Sequence, residues 1–218
     1  MKKVMLTVLA FAVGAGACAT TDDGSQRISA MEKELQNKNS ELAKLKADDA
    51  FLKSAETKAD DLSRANRDLS QELKDEIAKG NITINQLRDR LTVSVLQEVL
   101  FGSGKTEIHQ DGKKVLDSVA NILKGIDNRA IMIEGNTDNV PIGSKLVDKF
   151  PTNWELSTAR ATTVLRYLQE KGVKPEHLGA AGFSEYHPVA PNDTDASRQK
   201  NRRIDIVLTP ELQPKKSS

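Results

Sequence analysis

AIMIEGNTDNVPI, residues 130–142, passes from four consecutive apolar residues into a stretch, 134–142, in which five of nine residues are Glu, Asn, Thr or Asp. The run Ala130–Ile133 reads as a short buried strand, because it is too brief for a core helix and is bounded by turn-forming residues. Asp138 stands just past the carboxyl end of that strand. It either caps a loop or belongs to a binding site, since sheets covered by helices tend to present ligand-contacting groups at the carboxyl ends of their strands.

The flanking segments define the sheet. Upstream, LTVSVLQEVLF (Leu91–Phe101) is rich in β-branched and apolar residues and reads as a strand. GSGKTEI follows as a loop. KKVLDSVANILKGI then places Val115, Leu116, Val119, Ile122 and Leu123 on one helical face, with Asp111 as the expected N-cap and Gly125 as the stop. Downstream, a long loop containing Pro141 and Pro151 leads to NWELSTARATTVLRYLQEKGV, a helix ending at Gly172. HLGAAGFSEYHPVAP holds a strand and a loop, DTDASRQKNRR a short helix, and IDIVL (Ile204–Leu208) the last strand. The order β-α-β-α-β-(α)-β predicts an α+β domain over 92–210 with helices packed on a sheet. Residues 211–218, with Pro214, Lys215 and Lys216, read as a disordered tail.

The amino-terminal part has a different composition. Charged residues make up 29% of the 218, yet the net charge is only +1, which removes the basic excess that nucleic-acid binding needs. Aromatics are 4%, low for a chain that is core throughout. Lys2 and Lys3 precede VMLTVLAFAVGAGA (Val4–Ala17), a charged and then apolar pattern too short to span a bilayer, so 1–17 reads as an export signal. The lone cysteine, Cys18, forms no internal disulfide. Small residues followed by Cys18 resemble a bacterial lipobox, which implies lipidation of Cys18 and a linker over 18–24. Cleavage after Ala19 fits an A-x-A site as well. Ala19 after the cysteine implies the outer membrane.

From Ser25 to Leu91 there is no proline, and Gly80 is the single glycine. Apolar residues recur at three- and four-residue steps in three registers: Ile28, Met31, Leu35, Leu42, Leu45 and Leu52; then Leu62, Leu69 and Leu73; then Ile77, Ile84, Leu87 and Leu91. Lys38, Asp49 and Asn66 interrupt them. Heptads need a partner to bury their seam, so 25–91 is expected to be a coiled-coil spacer that makes a homo-oligomer.

On the helix around 156–171, Leu156, Val164, Tyr167 and Leu168 form one stripe, and Arg160 falls inside it. A guanidinium on an apolar face is costly without an anion to meet it. Arg160 and Asp138 held apart would suit a zwitterion, the arginine forking onto a carboxylate and the aspartate accepting from an ammonium. Stem packing at the stripe edge or a structural ion pair would account for Arg160 without a ligand.

EGNTDNVPI, NWELSTARA and SRQKNRRIDIVL together resemble the OmpA-like carboxyl-terminal domain, a family that includes Pal lipoproteins and the periplasmic domain of the flagellar stator protein MotB. The resemblance covers residues 92–208 and implies a β-α-β-α-β-β sandwich of helices on a mixed sheet. It implies peptidoglycan as partner, with Asp138 and Arg160 contacting diaminopimelate of the stem peptide. Phe101, Thr137, Asn153, Leu156 and the triplet Asn201, Arg202 and Arg203 match positions that shape the site. Asn136 stands where many members carry His, and Gly102 where many carry Asp. The loop GSKLVDKFPTN resembles the stator form, whereas VMLTVLAFAVGAGA has no acid for an ion-driven motor. The function so implied is a peptidoglycan-binding lipoprotein tethering the outer membrane to the cell wall, facing the periplasm. The alternative is a periplasmic assembly or scaffold protein related to MotB. An enzyme is not expected: His109, His177 and His187 lie apart, and neither GxSxG nor HExxH occurs. No cofactor or metal site is expected either, because no ligand-spaced His or Cys pair is present.

Overall fold

The computed structural model describes residues 21–127 and 129–210, which belong to two compact units, Met1–Lys53 and Ser54–Ser218. The expected export signal over 1–17, Cys18 and the expected tail over 211–218 lie outside the described residues. Among the described residues no helix is long and apolar enough to cross a membrane.

Helix α1 (Thr21–Glu72) contributes to both units. In the first, the register Ile28, Met31, Leu35, Leu42, Leu45 and Leu52 is 50–68% exposed. In the second, Leu62, Ala65, Leu69 and Leu73 are at most 3% exposed and belong to the hydrophobic core. The second register is therefore the inner face of a core helix and not a seam for another copy. Asn66, which interrupts the heptads, donates to Gln86 Oε1 at 2.8 Å.

The third register is not helical beyond Ala78. A short helix, α2 (Lys74–Ala78), leads to Gly80, whose φ of 75° ends it, and the chain enters a hairpin of β1 (Ile82–Leu87) and β2 (Arg90–Leu96). Ile84, Leu87 and Leu91 are strand residues. The expected spacer over 25–91 thus gives up its last ten residues to the sheet. The β-branched residues Ile82, Thr83, Ile84, Thr92, Val93 and Val95 fit a pleated surface better than a helix. The hairpin turns on Arg88–Asp89, with Arg88 at φ 55°, and lacks the Asn-Gly or Asp-Gly pair that marks such turns in a sequence.

The stretch 91–101 is likewise not one strand. It leaves the sheet after Leu96 into α3 (Gln97–Leu100), and Phe101 pairs with Ile108 in an isolated bridge. Helix α4 (Gln110–Leu123) is capped by His109, whose side chain accepts from Gly112 N, and not by Asp111, which lies already in the first turn. Then come β3 (Arg129–Asn136), α5 (Asn153–Glu170), a 3-10 turn at Pro175–His177, β4 (Leu178–Gly182), α6 (Asp195–Asn201) and β5 (Arg203–Pro210).

The five strands form one mixed sheet in the order β1-β2-β5-β3-β4, in which β3 and β4 are parallel and the other neighbours antiparallel. From β2 onward the major elements follow the expected β-α-β-α-β-β order, and β1 adds an edge strand. Central β5 alternates cleanly. Ile204, Ile206 and Leu208 join the core, while Arg203 and Asp205 occupy the other face.

Two glycines set how closely α5 lies on the sheet. A Cβ at Gly135 would sit 2.2 Å from Ser157 O, and one at Gly182 would sit 2.2 Å from Thr158 Oγ1. Only a residue without a side chain lets the first turns of α5 approach the carboxyl ends of β3 and β4 this far.

Candidate functional site

Loops at the carboxyl ends of β3 and β4 are tied to α5 residue by residue. Thr137 N donates to Ser184 O at 2.8 Å, and Ser184 N donates to Ser157 Oγ at 3.2 Å. Asn153, the first residue of α5, donates from Nδ2 to Asp138 O at 3.3 Å, Val140 O at 3.1 Å and Glu185 Oε2 at 2.9 Å. The helix starts there because Thr152 and Glu155 form a capping box, with Thr152 N donating to Glu155 Oε2 at 2.8 Å. Hydrogen bonds from Thr152 hold the Glu155 carboxyl below its ordinary range.

Two turns along α5 comes Arg160, 3% exposed, on the same face as buried Leu156, Val164 and Leu168. Its partners are not carboxylates. Nε donates to Lys105 O at 3.1 Å, Nη1 donates to Gln97 Oε1, and the guanidinium carbon lies 5.4 Å from the Phe101 ring centroid. Burial above all, and the nearby Arg202, lower its pKa to about 10, with Asp138 as a partial offset. It remains a cation at neutral pH. Nη2 has no hydrogen-bond partner among the described residues.

Asp138 is 7% exposed. Oδ1 accepts from Val140 N at 3.1 Å, the loop-capping bond that its position suggested, and Oδ2 pairs with Arg202 Nη1 at 2.7 Å. Arg202 Nη2 also reaches Glu98 Oε1 at 3.1 Å. Burial depresses Arg202, but the hydrogen bonds it donates to Asp138 and Glu98, with their negative charges, outweigh it and raise its pKa overall. Asp138 and Arg160 are therefore not partners of each other; a second arginine stands beside both.

Asp138 and Arg160 line one open cavity of about 330 Å³, together with Arg202, Arg198, Gln97 and Leu146. Thr137, Asn153 and Leu156 line it too. Thr137 Oγ1 is buried with no hydrogen-bond partner among the described residues. Phe101 is buried beneath Arg160 as a supporting ring. The other two expected site residues are elsewhere. Asn201 is fully buried and fixes the loop before α6, accepting from Val189 N and Ala190 N and donating to Ala190 O. Arg203 is locked on the reverse face of β5 by Asp205, at 2.9 Å, and His187 O.

Three polar wall residues escaped the sequence reading: Gln97, Asp195 and Arg198. Arg202 precedes β5 and is the neighbour of Arg203 in the Asn201-Arg202-Arg203 triplet. Arg202 caps α6 and Arg203 opens β5, and the two arginines have different partners. Gln97 carried no signal, because it sat in a segment read as strand. Among the described residues no cluster of three or more His, Cys, Asp or Glu is placed to hold a metal ion.

Comparison with known proteins places the fold. Residues 100–202 match the OmpA family. The chain is 29% identical over 152 residues to motility protein B of Bacillus subtilis, an alignment covering 69% of this chain and 57% of that protein. A MotB-like protein from Desulfovibrio vulgaris superposes with a TM-score of 0.65 at 28% identity, covering 74% of this chain and 98% of that one. The cell wall anchor of the T6SS from Pseudomonas aeruginosa superposes with a TM-score of 0.59 at 29% identity, covering 66% of this chain and 97% of that one. The chain spans little more than half the length of the curated relatives it matches, 57%, 55% and 54% for three of them. In motif, strand order and solved neighbours alike, residues 100–202 resemble the OmpA family, and the globular part of this chain has the fold of the MotB-like proteins it is similar to.

Proposed function

We propose that this domain binds peptidoglycan non-covalently and recognises diaminopimelate of the stem peptide. The observation that carries the reading is that Asp138 and Arg160 line one cavity, each fixed in place by backbone partners. In this reading Arg160 Nη2 meets a ligand carboxylate, and the Asp138 carboxylate accepts from the ammonium through lone pairs left over from Val140 and Arg202. Arg160, Arg198 and Arg202 outnumber Asp138 and Asp195 on the wall, which favours a ligand richer in carboxylate than in amine. Thr137, Asn153 and Leu156 shape the walls, and Phe101 supports Arg160. Asn201 and Arg203 act on the framework only.

The test is co-sedimentation with purified sacculi, with free diaminopimelate as competitor. Asp138→Asn keeps the shape and removes the charge. It is expected to weaken binding by roughly ten- to a hundredfold, the worth of one charge-assisted hydrogen bond. Unchanged affinity would mean that Asp138 only caps its loop.

Around that core we place a lipid-anchored protein of the periplasmic side of the outer membrane, with Cys18 as the attachment point and the exposed register Ile28–Leu52 as a self-association seam. The apolar register at 50–68% exposure supports the seam, since heptads leave that surface wet unless a partner covers it. A periplasmic assembly role is the second reading, favoured by the similarity to motility protein B. The two separate on a chain starting at Ser54. A tether needs the residues before it to hold the wall to a membrane but not to bind sacculi, whereas a scaffold loses its partners with them.

A further inference from the structure

The chain has a single tryptophan, Trp154, and it is not in the core. It sits in the first turn of α5 and is 46% exposed, its ring stacked on that of Tyr186, which is 63% exposed. The centroids are 5.4 Å apart and the planes 27° from parallel. Leaving two large rings in water forgoes the burial that would otherwise stabilise the fold, and an amphipathic ring held this way is the usual mark of a contact surface.

The backbone that carries each ring is tied down. Trp154 N donates to Thr152 Oγ1 at 3.1 Å, and Trp154 O accepts from Ser157 Oγ at 3.0 Å. Tyr186 N donates to Phe183 O at 3.2 Å, and Phe183 in turn stacks on His187 with centroids 4.1 Å apart. With the backbone fixed and each ring stacked on the other, the pair offers a ligand a surface that is already ordered.

The pair is linked to the cavity through its chain neighbours. Asn153, next to Trp154, lines it and donates to Glu185, which is next to Tyr186. A polymer seated in the cavity would continue over this surface. We propose that Trp154 and Tyr186 form a saccharide platform that takes an N-acetylated aminosugar of the glycan strand while the cavity holds the stem peptide. This rests on the peptidoglycan reading of the cavity. A pyranose ring presents a face of C–H groups, weakly positive, and an aromatic ring presents a negative face, so the two stack. The Glu185 carboxylate alongside accepts from sugar hydroxyls or the acetamido N–H.

Because Trp154 is the sole tryptophan, its fluorescence in the full chain reports the platform directly. The probes are the peptide-free disaccharide of N-acetylglucosamine and N-acetylmuramic acid, and separately a sugar-free stem peptide containing diaminopimelate. The disaccharide is expected to change the Trp154 emission saturably, and Tyr186→Ala to weaken that response by roughly two- to tenfold. Asp138→Asn is expected to keep the disaccharide response while losing the stem peptide. Sacculus binding should fall by a similar two- to tenfold in Trp154→Ala. No saturable response to the disaccharide, or sacculus binding unchanged in both Trp154→Ala and Tyr186→Ala, overturns the platform even if Asp138→Asn abolishes binding. A disaccharide response that persists when Asp138→Asn leaves sacculus binding intact supports the platform and removes only the reading of the cavity.

Discussion

Leu69→Ala distinguishes a core helix from a coiled coil. Leu69 is 0% exposed and packs in the same core as Leu62, Leu73, Ile82 and Leu91. Truncating a fully buried leucine costs about 2–5 kcal/mol in lost transfer energy and residual cavity. Against a total stability of roughly 5–15 kcal/mol, that is a large fraction. With a mid-range urea m-value of about 2 kcal/mol/M, the midpoint should fall by about 1–2.5 M. Trp154 lies in the same unit and follows its unfolding by fluorescence. The control is Leu35→Ala, 63% exposed in the first unit, which should leave that midpoint in place and lower only the sedimentation-derived association constant. If Leu69→Ala instead kept its midpoint at every protein concentration and merely dissociated an oligomer, the helix from Ser54 to Glu72 would not belong to the globular core.

Other outcomes follow from the same geometry. Gly135→Ala places a methyl 2.2 Å from Ser157 O, so α5 must move off the sheet; a loss of about 1–3 kcal/mol by urea denaturation, together with weaker sacculus binding because Arg160 moves with the helix, is expected. Arg202→Gln removes the partner of Asp138 Oδ2 and leaves Glu98 without its arginine, and calorimetry with diaminopimelate should give weaker binding at unchanged circular dichroism. Glu134 is raised in pKa chiefly by burial, with Arg90 at 3.6 Å as partial offset. The folded state then holds its proton more tightly than the unfolded chain, so stability falls as pH rises through that window. Glu134→Gln should raise Tm near pH 7 and make no difference below about pH 4, where both states are protonated.

The sequence by itself determined the elements whose local signals agree with their burial. The helix 153–170 announced both ends, with Thr152 and Glu155 at the start and Gly172, at φ 95°, past its end. The strands around Ala130–Ile133 and Ile204–Leu208 were legible from apolar runs and alternation, and Asp138 and Arg160 stood out as charges at positions that ordinarily exclude them. Only the tertiary structure decided the rest. Leucines at heptad spacing in 28–52 and in 62–73 look alike along the chain. A helix whose apolar face meets a sheet and one whose face meets another copy need the same spacing, and only the presence of Ile82, Leu91 and their neighbours against Leu62 and Leu69 tells them apart. The hairpin at Arg88–Asp89 was hidden for a related reason, its turn conformation being imposed by the strands it joins and not by a glycine. The same holds at the site. Arg202 and Arg203 are adjacent in sequence with the same side chain. The pleat of β5 puts Arg203 and Asp205, two residues apart, on one face, while Arg202, the cap of α6 just before the strand, reaches Asp138, a difference set by where helix gives way to strand and not by residue type.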